Sequence, residues 1–579
     1  MSKQKTRPQL DLTLYLVTSS DNLAPGSTIE STVQSAILGG VTIVQLREKE
    51  LGTREFLKLA ISLRNICHQA IPKVTFIVND RIDIALASDA DGVHLGQDDM
   101  PIEEARKWLG PNAVIGISTN TIEEAIDAVE RKADYLGIGT CWPTGTKVIP
   151  DHKIIGEHYH QEATLDRFDY KTLMTFFDTR STGPRGVKKI RDELTLRGLK
   201  IPAVTIGGIK WENVTRTLYG CVSTAPSGAL DPIEGIAVVS AIMSSDQPQV
   251  EARRLRQTLD KHNIALESFS SRQSKPSILS SQGTDSYSEY LSSVIAFKCA
   301  HDCRQLIHHI TNTVVQNDCA NLTLALRCSP MMSSSIEEVE ELVETCSDSL
   351  VINLGTLDQT QIMAMKLAGR QANLAYKPVV FDPVGVGASQ FRQKVTDELL
   401  NYVQMSYIKG NEGEIASLAN HSAASSHGVD SKGSLPDPAR VVRDLARKER
   451  CVVIMTGKVD YVSDGMHVIK LENGVKMLAS ITGSGCMVGT AIGCFASITN
   501  AMRKGKLAVP FTNLIDFETR MLDAAICGVS SVNIAAELAI SHSNVTGPNS
   551  FRAALIDEVY HLTPEKIKSM IKISEVVVD

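Results

Sequence analysis

The chain lacks several features that mark special classes of protein. Its formal net charge is -7, so it has none of the basic excess typical of nucleic-acid-binding proteins. No run reaches the roughly 18 apolar residues of a membrane span, and the first residues lack the apolar core of a signal peptide. The 12 cysteines show no paired metal spacing. These absences predict a cytoplasmic protein with free thiols, whose partners are neither nucleic acids nor membranes.

The length predicts more than one domain. A chain of 579 residues exceeds what a single hydrophobic core usually fills, and two large domains fit best. The segment between Ser268 and Tyr290 is dominated by serine and has little periodic apolar content, which is typical of a linker. We therefore predict an N-terminal domain over 1–245, a serine-rich linker over 246–289 and a C-terminal domain over 290–579.

The N-terminal half alternates short apolar runs with stretches of helical spacing. Eight such runs over roughly 240 residues favour a TIM (β/α)8 barrel, whose active site lies at the C-terminal strand ends. The runs are LYLVTS, TIVQLRE, VTFIVND, GVHLG, VIGIST, YLGIGT, AVTIGG and IAVVSAI. Two stretches, 149–182 and 221–234, interrupt the rhythm, and we predict that both are surface insertions.

The C-terminal half has a different rhythm. Its strand-like runs LVINLG, PVVFDPVG, VVIMTG and YVSDG again alternate with helical ones. Their spacing and glycine placement favour an open α/β sheet over a barrel. A helical run after Asn312 is expected to end near Ser329–Met332.

Two cations follow the second barrel run. Arg47 and Lys49 are separated by one residue, so both side chains can point the same way and hold a pyrophosphate group. The alternative is a solvated strand end, which is common for such pairs.

Two aspartates close neighbouring runs. Asp80 ends the third run and Asp99 follows the fourth, so both carboxylates are expected at one barrel mouth. Such a pair suits magnesium, which keeps some waters and takes further ligands from substrate phosphates. The alternative is that each aspartate caps the helix that follows it.

Flexible segments with hydroxyl groups follow the later runs. The segment Thr144-Gly145-Thr146-Lys147 can wrap a phosphate. Gly207-Gly208 and Val239-Ser240 end the last two runs, where TIM barrels often bind phosphate through the backbone.

Taken in order, QLREK, VNDR, HLGQDD, GIS, PTGTK, TIGGI and AVVSAI resemble the thiamine phosphate synthase family over about residues 10–245. The resemblance implies that hydroxymethylpyrimidine diphosphate is bound by Gln45, Leu46, Arg47, Glu48, Lys49, Asn79, Ser118 and Lys147. It implies that the thiazole phosphate is bound by Thr144, Gly145, Thr146, Gly208, Val239 and Ser240. Asp80 and Asp99 would hold Mg²⁺, and Ser118 and Lys147 would act in catalysis. The implied chemistry needs no protein nucleophile, only charge stabilisation and positioning.

The motif TGSGC opens a predicted helix in the C-terminal half. Backbone N–H groups at a glycine-rich helix start form an anion hole for a phosphoryl group, and Cys486 would lie in it. A helix N-terminus lowers the pKa of a thiol, which would let Cys486 act as a base. The alternative is that Cys486 is a small buried apolar residue. A Walker loop is absent from the sequence.

Other strand ends repeat this chemistry. Asp382 precedes glycine-rich backbone that suits nucleotide phosphates and magnesium, although a simple tight turn is nearly as good an interpretation. Lys409 and Glu414 supply a cation and a carboxylate beyond another strand. His308 and His309 are adjacent and should face different directions, so we do not expect them to bind a metal together.

The order HHITN, CSPMM, VINLGT, FDPVGVGAS, IKGNEGEI, TGKVDYVSDG, TGSGC and GPNSF resembles hydroxyethylthiazole kinase, of the ribokinase-like fold, from about Tyr290 to the end. The resemblance implies that the thiazole alcohol contacts Met332 and Gly483, and that ATP contacts Lys409, Glu414 and Thr456. Cys486 would act in phosphoryl transfer, Asp382 would help to order magnesium, and the domain would form a homo-oligomer.

Two departures from this family pattern concern charge and backbone conformation. Lys409 replaces a common arginine and loses its planar fork. Asn549 stands in the GPGSF-like element, where it tolerates the conformation of a glycine.

The sequence leaves two rival hypotheses. A generic phosphate-binding barrel fused to a sugar or vitamin kinase would explain the folds but not QLREK with the two aspartates. A sensor that binds thiamine precursors without turnover would not need magnesium ligands and an anion hole.

Overall fold

The computed structural model describes residues 7–8, 10–144, 183–224, 230–272, 305–419, 425–427, 430–432, 435–503 and 515–578. The chain divides into two compact units, Met1–Glu267 and Ser268–Asp579.

The first unit is a closed parallel barrel of eight strands in the order β1-β10-β7-β6-β5-β4-β3-β2. The barrel strands are β1 Leu14–Val17, β2 Ile43–Leu46, β3 Thr75–Asn79, β4 Gly92–Leu95, β5 Val114–Thr119, β6 Tyr135–Ile138, β7 Ala203–Ile206 and β10 Gly235–Val238. Each coincides with one of the eight apolar runs, so the predicted TIM barrel is confirmed. The runs are nearly all apolar because parallel strands are covered on both faces.

Helices follow the strands around the barrel. They are α1 Ile29–Leu38, α2 Thr53–Gln69, α3 Ile82–Ala87, α4 Ile102–Leu109, α5 Ile122–Glu130, α6 Gly183–Leu196, α7 Trp211–Gly220, α8 Ser240–Met243 and α9 Pro248–Arg272, with a 3₁₀ turn at Ser20–Asn22.

Helix α9 corrects the first part of the predicted linker, whose residues 273–289 lie outside the described part of the chain. The polar segment after residue 245 is a long helix that buries Ala252, Leu255 and Leu259 and extends the first unit to Glu267. Its backbone packs so closely on the barrel that a Cβ atom on Gly39 would lie 2.5 Å from the carbonyl oxygen of Gln249. The polarity that indicated a linker is that of the exposed face of a surface helix.

The predicted insertions have different outcomes. Residues 145–182 lie outside the described part of the chain. Within 221–234, a hairpin forms from β8 Ser223–Thr224 and β9 Leu230–Asp231. Cys221, Val222 and Ser223 are fully buried, so the prediction of a surface insertion is wrong for the start of this stretch.

The second unit contains an open sheet of nine strands in the order β12-β11-β13-β14-β15-β18-β19-β20-β21. Pairing is parallel from β12 to β18 and antiparallel from β18 to β21. The strands are β11 Leu306–Ile310, β12 Ser329–Met331, β13 Ser349–Asn353, β14 Val379–Asp382, β15 Tyr407–Asn411, β18 Val452–Thr456, β19 Asp460–Ser463, β20 Val468–Leu471 and β21 Ile573–Glu575, beside a hairpin of β16 Ser425–His427 and β17 Asp430–Lys432. The predicted open α/β sheet is therefore confirmed, and the fold is ribokinase-like.

The helices of the second unit are α10 Gln316–Ala325, α11 Val339–Thr345, α12 Gln359–Leu374, α13 Gln390–Tyr402, α14 Glu412–Leu418, α15 Pro438–Glu449, α16 Ser484–Arg503, α17 Ile515–Ile540, α18 Pro548–Tyr560 and α19 Pro564–Met570, with 3₁₀ turns at Val386–Ala388 and Lys476–Ser480. The helix expected to reach Ser329–Met332 ends at Ala325. Ser329–Met331 is an edge strand instead, as suits a segment whose Pro330 has no N–H to donate.

Part of α17 has the length and composition of a membrane span. The segment Met521–Ile540 has a mean hydropathy of 1.4, but 83% of it is buried inside the protein. It packs with α16 in the main hydrophobic core of the second unit, as expected of an apolar core helix.

Candidate active sites

The predicted residues of the first unit meet at one end of the barrel. Gln45, Asp80, Ser118, Gly208 and Val239 lie at or just after the carboxyl ends of β2, β3, β5, β7 and β10. Because these strands are parallel and closed into a ring, their ends surround a common mouth.

The two aspartates at this mouth act on each other electrostatically. Burial and the negative charge of Asp99 raise the pKa of Asp80, while Lys49 opposes this. The carboxylate of Asp80 accepts a hydrogen bond from Asn79 at 2.9 Å, and that of Asp99 accepts one from the Gly96 N–H at 2.6 Å.

The aspartates do not occupy the caps of the following helices. The N-cap residues of α3 and α4 are Arg81 and Pro101, so the capping alternative is wrong for both. Asp99 is exposed and Asp80 half-buried, which leaves carboxylate oxygen accessible at the mouth. Such a carboxylate pair fits Mg²⁺ that keeps waters and takes substrate phosphate as a further ligand. Among the described residues, no group of three or more His, Cys, Asp or Glu side chains could hold a metal ion without such help.

The QLREK segment divides its side chains between different roles. Arg47 is half-buried, and its N–H donates to Thr18 Oγ1 at 3.0 Å; Lys49 is exposed. Glu48 is buried and accepts hydrogen bonds from Thr18 Oγ1 at 3.0 Å and Ser20 Oγ at 2.6 Å. Glu48 therefore holds the loop after β1.

Leu46 and Gln45 face opposite ways. Gln45 is buried and donates from Nε2 to the Tyr15 hydroxyl inside the barrel at 2.6 Å. Since consecutive strand residues alternate, Leu46 points to the opposite face, towards the helices, where it is fully buried. Any contact of Leu46 with a substrate in the mouth would come from its backbone.

The predicted thiazole phosphate residues line another side of the mouth. Gly208 has a φ of +57°, and a Cβ atom there would collide with the carbonyl oxygen of Pro143. The loop that begins at Cys141 is anchored by Trp142, whose Nε1 donates to Thr217 Oγ1 at 2.7 Å. Thr144 and Ser240 are half-buried, and Val239 packs on the barrel interior. Gly145, Thr146 and Lys147 lie outside the described residues.

A chain of hydrogen bonds crosses the barrel interior, and three of its members, Tyr15, Tyr135 and His94, were not predicted from the sequence. The Tyr15 and Tyr135 hydroxyl groups lie 2.8 Å apart. The Tyr135 hydroxyl lies 2.9 Å from His94 Nδ1, and His94 Nε2 lies 2.9 Å from Ser118 Oγ. The signal was present in the pattern, because Tyr15 and His94 each interrupt an otherwise apolar strand and Tyr135 begins one.

The second unit places a buried ion pair at the carboxyl ends of β14 and β15. Lys409 Nζ lies 3.2 and 3.3 Å from the two carboxylate oxygens of Asp382. The two side chains are only 4% and 1% exposed, so each charge depends on the other for compensation. Burial by itself lowers the pKa of Lys409, but the charges of Asp382 and Glu414 outweigh it and raise that pKa.

Two asparagines connect this ion pair to Cys486. Asn353 Nδ2 lies 3.1 Å from Asp382 Oδ2 and 3.2 Å from Cys486 Sγ, and Asn312 Nδ2 donates to Asn353 Oδ1 at 2.9 Å. Burial and the charge of Asp382 raise the pKa of the Cys486 thiol to about 12. The expected lowering by the start of α16 is therefore wrong for Cys486, and this thiol is protonated near neutral pH. Neither asparagine was predicted as a site residue, although Asn353 closes a parallel strand and Asn312 follows one.

Glu414 holds backbone together. Its two carboxylate oxygens accept the N–H groups of Gly385 at 2.9 Å and Asn411 at 2.7 Å. The Asn411 side chain accepts the N–H of Glu414 in return, which completes a capping box at the start of α14. Glu414 thereby fixes the loop after Asp382 relative to β15.

Two glycines, Gly483 and Gly485, lie just before and within the first turn of α16. A Cβ atom on Gly485 would lie 2.9 Å from Lys409 Nζ, so the lysine approaches the first turn of the helix. Gly483 has a φ of +80°, and a Cβ atom there would collide with Val315. Met332 is half-buried just after β12, and Thr456 ends β18, where its Oγ1 lies 3.4 Å from the Gly410 carbonyl oxygen.

The adjacent histidines have separate environments. His308 Nε2 lies 2.8 Å from the Ser333 carbonyl oxygen, and His309 Nδ1 lies 3.1 Å from that of Ile307. Burial lowers the pKa of both rings, that of His309 to about 4. Both are therefore neutral residues of the β11 core near neutral pH.

Comparison with known proteins matches each half to a family. The model of the thiamine monophosphate synthase family matches residues 14–163, and that of the hydroxyethylthiazole kinase family matches residues 297–565. A hydroxyethylthiazole kinase of a Thermoanaerobacter species is 39% identical over 47% of this chain and 95% of its own length.

Two relatives cover nearly the whole chain. A probable thiamine biosynthetic bifunctional enzyme of Schizosaccharomyces pombe is 38% identical over 97% of this chain and 96% of its own length. A thiamine biosynthetic bifunctional enzyme of Saccharomyces cerevisiae is 33% identical over 98% of this chain and 99% of its own length. Both halves therefore occur joined in these relatives.

Proposed function

The chain belongs to the family of bifunctional thiamine biosynthetic enzymes, and we propose that its two activities use the residues placed at the two sites above. The C-terminal half is a hydroxyethylthiazole kinase that transfers phosphate from ATP to 4-methyl-5-(2-hydroxyethyl)thiazole. The N-terminal half is a thiamine phosphate synthase. It joins the thiazole phosphate to 4-amino-2-methyl-5-(diphosphooxymethyl)pyrimidine, giving thiamine phosphate and pyrophosphate. The family match of the N-terminal half excludes the rival hypothesis that this half is a generic phosphate-binding barrel.

In the synthase, the C–O bond between the pyrimidine methylene and the diphosphate breaks, and a C–N bond to the thiazole nitrogen forms. Arg47, Lys49 and Asn79 would bind the diphosphate, and Gln45 and Ser118 would orient the pyrimidine. Mg²⁺ held by Asp80 and Asp99 would neutralise charge on the leaving pyrophosphate. Catalysis then consists of charge stabilisation and alignment of the two rings.

The thiazole phosphate would lie on the opposite side of the mouth. Its phosphate would contact backbone at Gly208 and Val239 and the hydroxyl groups of Thr144 and Ser240. Gly145, Thr146 and Lys147 remain predictions for this site, since they lie outside the described residues.

In the kinase, the transferred phosphoryl group would lie at the start of α16. Lys409 lies below that first turn and would stabilise charge on the phosphate, while Gly483 and Gly485 leave the backbone N–H groups accessible. Phosphoryl transfer needs little help from a base because its transition state is loose. A protonated Cys486 is compatible with that chemistry.

The remaining kinase assignments are predictions from family resemblance. Met332 would contact the thiazole alcohol and Thr456 the ATP, whereas Glu414 would act through the loop it holds. Asp382 is engaged by Lys409 and Asn353, so its help in ordering magnesium also stays a prediction.

The observation that carries this division of labour is that each half brings its own charged cluster to the carboxyl ends of its own parallel strands. The test incubates the chain with hydroxyethylthiazole, ATP, magnesium and the pyrimidine diphosphate, and follows thiamine phosphate by chromatography. Asp80→Ala should stop at thiazole phosphate, and Lys409→Met should be rescued by added thiazole phosphate. Formation of thiamine phosphate at the wild-type rate by Asp80→Ala would contradict the synthase assignment.

Two wider properties complete the proposal. We expect a homo-oligomer built on the kinase domain, to be tested by light scattering; a monomer with full kinase activity would contradict it. We expect a cytoplasmic location, to be tested by cell fractionation.

A further inference from the structure

The hydrogen-bonded chain inside the barrel is built into the fold. Gln45 on β2, Tyr15 on β1, Tyr135 on β6, His94 on β4 and Ser118 on β5 are linked by contacts of 2.6, 2.8, 2.9 and 2.9 Å. Both tyrosine side chains are at most 1% exposed.

Glycines make room for this chain. A Cβ atom on Gly116 would collide with the Tyr135 ring, and one on Gly137 would lie 3.0 Å from His94 Cε1. Glycine weakens a strand by about 0.5–1 kcal/mol relative to alanine, so these positions favour the buried polar rings over strand stability.

Each hydrogen in this chain can be assigned. Burial raises the pKa of Tyr15 and of Tyr135, so both phenols keep their proton. Gln45 Nε2 donates to Tyr15, which leaves the Tyr15 hydrogen for Tyr135 and the Tyr135 hydrogen for His94 Nδ1. A neutral His94 then carries its hydrogen on Nε2 and donates it to Ser118 Oγ. The Ser118 hydrogen is left for the barrel mouth, and the Gln45 amide oxygen is left to accept.

The two ends of this chain are coupled. If Ser118 donated inward, every link would reverse, and a buried hydroxyl hydrogen would lose its partner unless the Gln45 amide also turned over. An unpartnered buried donor is costly, so partial reversal is disfavoured. Gln45 and Ser118 therefore change their hydrogen-bond roles together or not at all.

We propose that this chain is a one-way relay that makes Gln45 an acceptor and Ser118 a donor, and so selects the 4-amino form of the pyrimidine over its 4-oxo form. An amino group donates to the Gln45 oxygen, and an unprotonated ring nitrogen accepts from Ser118. An oxo group presents an acceptor where Gln45 requires a donor. Tyr15, Tyr135 and His94 are positioning residues in this scheme. The inference rests on the proposed placement of the pyrimidine at Gln45 and Ser118.

The test compares the pyrimidine diphosphate with its 4-oxo analogue. The 4-amino compound is measured by kcat/KM, and the analogue by its inhibition constant. The selectivity is kcat/KM for the 4-amino compound multiplied by the inhibition constant of the analogue. Tyr135→Phe keeps the ring but breaks the relay, and should lower this selectivity about tenfold, the effect of one hydrogen bond. Tyr15→Phe breaks another link and should lower the selectivity equally, with no further loss in the double variant. Kinase activity of the same chains should be unchanged.

A spectroscopic measurement reports the relay directly. ¹⁵N NMR of histidine-labelled protein should show His94 protonated at Nε2 and not at Nδ1, with His94→Gln identifying the signal. Tyr135→Phe should abolish the predominance of the Nε2-protonated form of His94.

The outcomes separate the two proposals. Equal losses for both pyrimidines in Tyr135→Phe and Tyr15→Phe, or a His94 proton on Nδ1 with the substrate bound, would overturn the relay. If Ser118→Ala and Gln45→Ala leave the pyrimidine KM unchanged, the placement of the substrate fails instead.

Discussion

The two proposed active sites contain similar charged groups in different environments. At the barrel mouth, Lys49 and Asp99 are exposed and Asp80 is half-buried. In the kinase domain, Lys409 and Asp382 are buried against each other. Both clusters lie at the carboxyl ends of parallel strands, so strand topology alone does not explain the difference.

The difference teaches how each site obtains its counter-charges. The barrel mouth leaves its charges accessible to water, and in the proposed mechanism a metal ion and a diphosphate compensate them on binding. The kinase charges compensate each other before any substrate arrives, because a buried ion without a partner would be strongly unfavourable. Loss of a charge should therefore impair only catalysis in the barrel, but both catalysis and stability in the kinase.

The largest effect is expected from Asp382→Ala. It leaves Lys409 buried without a partner, which should lower the free energy of unfolding of the kinase domain by about 3–5 kcal/mol and abolish kinase activity. Urea unfolding and the kinase assay measure both. The double variant Asp382→Leu/Lys409→Met removes both charges and should regain most of the stability but no activity. A double variant as unstable as the single one would contradict the ion-pair argument.

The second effect concerns pH and again belongs to the kinase domain. Burial raises the pKa of Asp460 to about 6, although Gly457 and Asn533 donate hydrogen bonds to it. A raised carboxyl pKa favours the folded state below the unfolded value of about 3.9, and this contribution is lost as the pH rises through about 6. Asp460→Asn lacks this loss, so between pH 4 and pH 7 its free energy of unfolding should fall less than that of wild type, by up to about 3 kcal/mol. Parallel stability curves between these pH values would refute this prediction.

The third effect is catalytic and tests the exposed charges. Asp80→Ala and Asp99→Ala should each lower thiamine phosphate formation about 100-fold, as expected on loss of a charge-stabilising group. Kinase activity should stay at the wild-type value in both variants, and the melting temperature should stay at the wild-type value in Asp99→Ala because this side chain is accessible to water. In Asp80→Ala the melting temperature should fall slightly, because residue 80 has a φ of +52°, which aspartate tolerates better than alanine. Asp98→Ala, which removes the adjacent exposed aspartate, is the matched control and should retain activity. A marked loss of stability in Asp80→Ala would contradict the expectation that loss of a charge at the barrel mouth impairs mainly catalysis.

The smallest effect is expected from Cys486→Ala. A thiol with a pKa of about 12 is protonated at neutral pH, so its removal should lower kinase kcat by less than about tenfold. Alkylation by iodoacetamide should be slow for Cys486 compared with the exposed Cys346. A loss of about 100-fold or more, as is typical of a general base, would restore that role.

The fold was largely predictable because its signal is local and repeated. Eight apolar runs predicted eight barrel strands, since parallel strands are covered on both faces and need continuous apolar sequence. The prediction of a linker was wrong over the residues of α9 for the converse reason. A surface helix with a narrow apolar stripe of Ala252, Leu255 and Leu259 has nearly the composition of a polar linker.

The sites were predictable by position more than by role. Strand-end motifs located Asp80, Asp99 and Lys409, but not the orientation of Leu46 or the attachment of Glu48 to the loop after β1. The prediction of a lowered pKa for Cys486 rested only on the nearby start of a helix. Burial and Asp382 oppose that effect, and they come from segments distant in sequence.

The sequence by itself determined the two α/β units, the strand-end positions of the charged groups and the family of each half. These depend on periodicity and on short motifs, which are properties of neighbouring residues. Only the tertiary structure decided which charges are buried and which are exposed to water, and which polar side chains form hydrogen bonds across the barrel. Those properties depend on desolvation and on distances between residues as far apart along the chain as Tyr15 and Tyr135, and no local pattern contains them.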